Sequence, residues 1–378
     1  MPWQEVSLMS LRKEFVMLAL TKGSSFRELC RRFGISHVTG YKWLNRYQEL
    51  GPAGLADQPK RPHHSPKRTG PAVEEAVLAV RDDHPAWGPR KIRKWLENRG
   101  YPDLPAPSTI SAILSRHLRI SPIEAEKHRP LVRFERPQPN DLWQMDFKGH
   151  FPLSQGRCYP LTVLDDYSRY ALGLQACANE QGTTVKDQLT AIFRNYGLPE
   201  SMLMDNGNPW GAQGEPKYAT FQVWLMRLGI RVYHGRPFHP QTQGKDERFH
   251  RTLNAEVLQG RNFRDLEQCQ RAFDAWRPIY NWERPHQALE MAVPGQRYRS
   301  SPRPFPESLP PVEYGPEDVV VRKVQADGTI TFHSSIFRVG NAFRGLPVAL
   351  RPTSEDGVWD VFFMTHLIAQ ADFKEPDV

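Results

Sequence analysis

At 378 residues the chain has room for two to four domains of roughly 100–200 residues each, and its net charge of +8 is unevenly spread. Residues 1–140 hold 24 Lys and Arg against 14 Asp and Glu, while the remainder holds 26 against 28. A basic front on a near-neutral back fits nucleic-acid contact at the front or a protein that is merely basic; no apolar run approaches the roughly 20 residues of a membrane span, and none of the four cysteines has paired zinc spacing.

The N-terminal stretch breaks its apolar pattern with Glu5 and with charges at Arg12–Glu14, so it reads as an amphipathic helix and not as a signal peptide. The unpaired cysteines fit reduced, mostly buried thiols in a cytoplasmic protein. Residues 1–50 form the first predicted domain. Ser25 with Glu28 makes a capping box, Gly34 ends that helix, and Ser36 caps the next. The second helix is expected to present His37, Thr39, Lys42 and Arg46 outward, with Leu44 inward. Such a helix-turn-helix suits the major groove of DNA; the alternative is a plain helical hairpin.

A basic, Pro-rich linker follows over 51–70. Residues 71–118 read as a second helix-turn-helix. Ile92, Trp95 and Leu96 form one face of its helix, Arg90, Lys91, Arg93 and Lys94 form a basic one, and Ser108 caps a further short helix. A second linker spans 119–140.

The block 141–293 carries the chemistry. In "NDLWQMDFKGHF", Trp143, Met145, Phe147 and Phe151 alternate with Gln144, Asp146, Lys148 and His150, so Asp146 stands on the polar face of a strand. Residues 157–177 continue as two antiparallel strands that turn at Asp165–Arg169. A helix over 183–197 leads to a short apolar strand ending on Asp205, followed by Asn206 and Gly207. After another helix and strand, "FHPQTQGKDERFHRTLN" opens the last helix. Phe249, Leu253 and Val257 form its buried stripe, which leaves Glu247, Arg251 and Asn254 on another face.

Three acids thus come from a strand, a strand end and a helix. Converging carboxylates repel unless a cation lies between them, and Mg²⁺ prefers such oxygen ligands. Two Mg²⁺ ions, with Mn²⁺ as a substitute, suit phosphoryl transfer. The basic residues Lys245, Arg248 and Arg251 stand where DNA phosphates would lie. Asp165 and Asp166 compete with Asp205 for the second place, and geometry alone does not exclude them; otherwise they cap a hairpin turn, with Arg169 pairing one of them.

Taken in order, "MDF", "LDDYSRY", "DNG", "HPQTQGKDERFHRTL" and "YNWERPHQAL" resemble the integrase core of bacterial insertion-sequence transposases. That is the DDE superfamily, related to retroviral integrases. The resemblance implies a multidomain α/β protein: a ribonuclease-H-like core, with a mixed sheet flanked by helices, N-terminal helix-turn-helix domains and a C-terminal small β-barrel. It also implies Asp146, Asp205 and Glu247 as the catalytic, metal-binding triad. The expected partners are double-stranded element ends and target DNA, on which the protein acts as a homo-oligomer in the bacterial cytoplasm, at the nucleoid. Two departures stand out. The gap between Asp205 and Glu247 is longer than the usual pattern, with the extra residues assigned to a loop at 209–217. Asn254 stands where many relatives carry Lys or Arg. A nuclease that cuts without joining and a regulator that only binds DNA are the rival readings.

A Pro-rich linker over 294–314 leads to the last domain, 315–378. Its alternating pattern, with a hairpin turn at Asp327–Gly328, predicts the β-barrel.

Overall fold

A computed structural model describes residues 8–57, 69–120, 135–205, 207, 210, 218–234, 244–315 and 320–373. The chain separates into two compact units, residues 1–68 and 69–378.

The first unit holds α1 (Leu8–Ala19), α2 (Phe26–Arg32) and α3 (His37–Leu50). Both expected caps form. Ser25 Oγ accepts the Glu28 N–H and Ser36 Oγ accepts the Thr39 N–H at 3.1 Å. The inward anchor of α3 is Trp43, with Leu44 only half-buried beside it. Gly51–Leu55, expected as linker, is a 3-10 turn whose Leu55 is buried in this core. A Cβ at Gly54 would stand 2.1 Å from the Arg46 carbonyl oxygen, so only glycine lets the turn close on α3.

The second unit begins with α4 (Pro71–Asp83), α5 (Pro89–Asn98) and α6 (Pro107–Arg116), packed around Trp87, Ile92, Leu96 and Ile113. Ser108 does not cap α6. Pro107 already occupies the first helical position and Ala106 precedes it without a side-chain cap, because proline's fixed φ suits that position.

The sheet of 141–293 comprises β1 (Trp143–Phe147), β2 (Phe151–Pro152), β3 (Arg157–Asp165), β4 (Ala171–Cys177), β5 (Ser201–Met204) and β6 (Arg231–His234). β3 pairs antiparallel with β1, β2 and β4; β5 runs parallel to both β1 and β6. Helices α7 (Gly182–Tyr196) and α8 (Thr220–Arg227) cover one face. Leu189 and Phe193 from α7 and Trp224 and Leu225 from α8 meet Trp143, Met145 and Met202 there. Helices α9 (Gly244–Leu253) and α10 (Leu266–Pro278) cover the other, with Phe249, Leu253, Phe273 and Trp276 against Leu164 and Leu174. Covering both faces explains why Gln144, expected on a polar face, is buried. It also explains Phe151, expected beside Trp143, which packs on Phe263 instead: the chain turns at Gly149 (φ +83°), and the alternation restarts beyond it.

Of the Pro-rich segment 294–314, expected as an extended linker, Pro294–Arg297 form a short helix; the rest has neither helix nor strand, and it is docked. Arg303 donates to the carbonyls of Pro199, Leu228 and Gly229, and Phe305 packs on the sheet's α7 side. Beyond it, β7 (Val320–Lys323), β10 (Pro347–Pro352), β11 (Val358–Phe363) and β12 (His366–Asp372) form one sheet, and β8 (Thr329–Phe332) with β9 (Ser335–Arg338) a second, around one core. The chain turns at Asp327–Gly328, yet the strands on either side join different sheets. The hairpin forms one turn later, at His333 and Ser334, both with positive φ as a tight two-residue hairpin requires. Val223 and Met226 of α8 belong to this core too, so α8 faces both domains. Among the described residues no helix is long and apolar enough to cross a membrane.

Candidate active site and DNA-contacting residues

Asp146 and Asp205 meet at one end of the sheet. β1 and β5 run parallel with Gln144 opposite Leu203; the same register carried two residues on sets Asp146 beside Asp205. Neighbouring parallel strands therefore aim both acids the same way. The Asp205 carboxylate accepts the Gly207 N–H at 3.0 Å, and a Cβ at Gly207 would stand 3.1 Å from Asp205 Oδ2, so glycine keeps the space before that carboxylate open. The Asp205 carbonyl is gripped from behind. His234 donates to it from Nδ1 at 2.7 Å, and Gln222 donates to His234 Nε2, because the Gln222 amide oxygen is already taken by the Ala219 N–H.

Glu247 stands exposed on the first turn of α9, and α9 packs on β1. Its charge reaches Asp146. Burial pushes the Asp146 carboxyl up to about 7, the Asp205 charge adds to that, and Glu247 contributes less. The three acids thus share one electrostatic neighbourhood. They are not drawn into a closed cage: among the described residues, no three His, Cys, Asp or Glu lie close enough to hold a metal ion.

The competing acids point elsewhere. Asp165 caps its own turn, accepting the N–H groups of Ser168 and Asn140 at 2.7 Å each. Asp166 accepts the Arg136 N–H at 2.8 Å and the Gln144 amide at 2.7 Å, and ion-pairs with Lys245. Arg169, expected to pair with one of them, pairs with Glu135 at 2.9 Å. Lys245, expected at a DNA phosphate, is thus turned into the protein by a buried carboxylate.

Arg248 and Arg251 are exposed on α9, and among the described residues no ion pair joins Glu247 to Arg251. Residues 239–243 of the family-like stretch, and 209 and 211–217 of the expected loop, lie outside the described residues. On α3, His37 and Lys42 are exposed. Thr39 bonds its Oγ1 to Ser36 at 2.9 Å, and Arg46 lies 5.3 Å from the Trp43 ring centre. On α5, Arg90 is exposed, while Arg93 and Lys94 lie 3.9 and 3.3 Å from Glu97. Lys91 is packed against the core block. Burial, followed by the Arg284 charge, brings its ammonium down to about 7.

Three further residues, His250, Thr162 and Asp246, enter the site without having been given a role from the sequence. His250 lies with Nδ1 4.0 Å from Asp146 Oδ2 and Nε2 2.8 Å from Thr162 Oγ1, and burial brings it down to about 4. Asp246 is 1% exposed, with Oδ1 unpartnered; burial, then the Asp146 and Asp166 charges, holds its carboxyl well above the usual range. The helical stripe does contain the signal for Asp246, which lies three residues before Phe249.

Family models match nearly every block. A helix-turn-helix domain model matches residues 11–63 and a homeodomain-like domain model residues 39–114. Two integrase core domain models match residues 136–240 and 228–294. The C-terminal domain of IS481 family transposases matches residues 319–378. The chain belongs to the insertion-sequence transposases of the retroviral integrase superfamily. Among similar proteins, the transposase is 24% identical to the insertion element IS476 uncharacterized 39.2 kDa protein of Xanthomonas euvesicatoria, over 73% of this chain and 78% of that one. It is 26% identical to the IS407 uncharacterized 31.7 kDa protein of Burkholderia multivorans, over 46% and 63%. It is 32% identical to the Pro-Pol polyprotein of simian foamy virus type 3, over 32% of this chain and 10% of that one. Among solved structures, the HTLV-2 integrase catalytic core domain in complex with magnesium shares 16% identity over 43% of this chain and 99% of that one, with a TM-score of 0.34.

Two outcomes follow for the transposase. A carboxyl raised by folding keeps its proton in the folded state where the unfolded chain has lost it. Asp146 therefore favours folding at low pH, and that contribution is lost as pH climbs from the ordinary carboxylate range to about 7. Asp146→Asn should melt higher than the parent at pH 8 and show a shallower fall in stability between pH 5 and 8. Added Mg²⁺ should raise the parent's melting temperature more than the variant's; equal pH profiles would contradict the assigned environment. Lys245→Met strands the buried Asp166 charge and should cost about 3–5 kcal/mol in chemical denaturation. Unchanged stability with weakened DNA binding would instead make Lys245 a DNA contact.

Proposed function

We propose that this transposase binds the ends of its own mobile element, nicks them by hydrolysis, and joins the freed 3′-OH to a second phosphodiester. The observation that carries the reading is the pairing of Asp146 and Asp205 at the ends of adjacent parallel strands, with Glu247 facing the same neighbourhood from α9. Burial and, after it, this crowding raise the Asp146 pKa, and a cation would relieve the repulsion. The donor set consists of hard oxygens, and Gly207 leaves room before Asp205; both fit a divalent ion. Asp146, Asp205 and Glu247 would hold Mg²⁺, two ions in our reading, with Mn²⁺ as a substitute. Bound there, such ions would activate the attacking oxygen and stabilise the leaving one.

The chain's own residues would do the rest. Arg251, one turn after Glu247, would hold the phosphate next to the scissile bond; with no ion pair to Glu247, its guanidinium is available for that contact. Arg248 would hold the backbone alongside. His37, Thr39, Lys42 and Arg46 in the first helical domain (1–50), and Arg90, Arg93 and Lys94 in the second (71–118), would contact the element ends. Paired ends call for a homo-oligomer on DNA.

The test is a cleavage and joining assay with the full chain, Mg²⁺ and labelled duplexes of the element ends. Asp146→Asn, Asp205→Asn and Glu247→Gln should each abolish both products while binding the ends nearly as tightly as the parent. Cuts without joints would make the protein a nuclease, and bound DNA alone a regulator. An active Asp205→Asn beside a dead, folded Asp165→Asn would move the second acid. Arg251→Ala should lose more than about tenfold in joining at moderate salt, since a charged hydrogen bond is worth about 1.5–3 kcal/mol. An unchanged rate would remove Arg251 from the reading.

A further inference from the structure

We infer that Thr162 and His250 are positioning residues that tie the helix carrying Glu247 to the strand carrying Asp146. Thr162 sits directly across from Asp146 in the β1–β3 ladder and is fully buried. Opposed residues of an antiparallel pair project to the same face, so the hydroxyl stands beside the acid. Its single hydrogen is committed: Thr162 Oγ1 donates to the Asp146 carbonyl at 3.0 Å. His250 Nε2, 2.8 Å from the same oxygen, must therefore be the donor. That requirement fixes the ring tautomer and turns Nδ1 toward Asp146 Oδ2, at 4.0 Å.

His250 lies three residues after Glu247, on the same helix. A shift of α9 along or about its axis would break the His250–Thr162 bond before Glu247 left the neighbourhood of Asp146. The contact thus sets the distance between two acids that come from different elements. It resembles the outer hydrogen bonds that orient the ligands of metal sites, whose loss commonly weakens metal binding about 10–100-fold. The inference rests on the reading of Asp146 and Glu247 as metal-holding acids.

The test uses the full chain and counts free Mn²⁺ by electron paramagnetic resonance, alongside joining rate, end binding and melting temperature. Thr162→Val keeps the shape and removes the hydroxyl; Thr162→Ser keeps the hydroxyl. His250→Gln keeps a donor near Nε2, and His250→Asn does not. Thr162→Val and His250→Asn should each weaken Mn²⁺ binding at least about tenfold and slow joining, with end binding unchanged. Thr162→Ser and His250→Gln should stay close to the parent, and the Thr162→Val/His250→Asn pair should lose no more than either alone. Should Thr162→Val fail to fold, the half-buried His250 decides by Gln against Asn. Parent-like Mn²⁺ binding in His250→Asn, or equal losses in Gln and Asn, would overturn the inference. A parent protein that binds no Mn²⁺ and neither cuts nor joins would instead overturn the proposed function itself.

Discussion

A carboxylate with almost no exposed surface determines how the helix that carries Glu247 lies. Asp166 is answered by the backbone of Arg136 just before β1, by Gln144 on β1 and by Lys245 at the start of α9. A buried charge is tolerated only when its oxygens are satisfied, so these three elements cannot separate without stranding it. Lys245 and Phe249 are one turn apart and both face inward, which fixes the rotation of α9. Two residues advance a helix by roughly 200°, so holding Lys245 inward turns Glu247 outward. The exposure of Glu247 is therefore a consequence of the Asp166 network.

That arrangement has an electrostatic cost at the sheet end. Asp205 and Asp246 both lie close to Asp146, while the Lys245 ammonium is spent on Asp166. Burial first, and the neighbouring acids after it, push the Asp146 carboxyl up to about 7 and hold the Asp246 carboxyl well above its ordinary range. His250 cannot supply a positive charge, since burial holds it neutral near pH 7. A site short of positive charge, lined by oxygens and kept open by Gly207, is chemically suited to a divalent ion.

Much of this was legible in the sequence. The stripe Phe249, Leu253 and Val257, the helix end at Gly197 and the short strand that stops at Met204, one residue before Asp205, all follow from period and turn chemistry. What was not legible depends on tertiary context. Alternation marked Gln144 as solvent-facing, but it could not show that helices cover both sides of the sheet. Lys245 reads as a phosphate contact because its neighbours are basic, and only the fold reveals that its partner is Asp166, 79 residues earlier. Asp165 and Asp166 competed with Asp205, and only the family resemblance of "DNG" favoured Asp205. What separates them is which N–H groups they accept, and no spacing rule encodes that. The segment 294–314 has the composition of a free linker, but composition says nothing about docking, and Arg303 anchors it to three carbonyls.

The second helical block carries the same lesson into function. Helix α5 looks uniformly basic, yet its charges are divided. Lys91 faces the core near Arg284 and Glu256, and Arg99 pairs with Glu283 at 2.9 Å, while Ile279 joins the block's own hydrophobic core. The segment it packs on is the one that braces α9. Arg284 donates to Glu256 at 2.8 Å and reaches Thr252 at 3.5 Å, both just beyond Glu247. Trp276 also donates to Glu256, so that acid ties α10 into the same brace. A side chain with two buried partners resists displacement, because moving it leaves a charge unpaired. The Ile279 contact and the Arg99–Glu283 pair thus join residues 71–118 to the same segment that Arg284 and Glu256 brace beside α9.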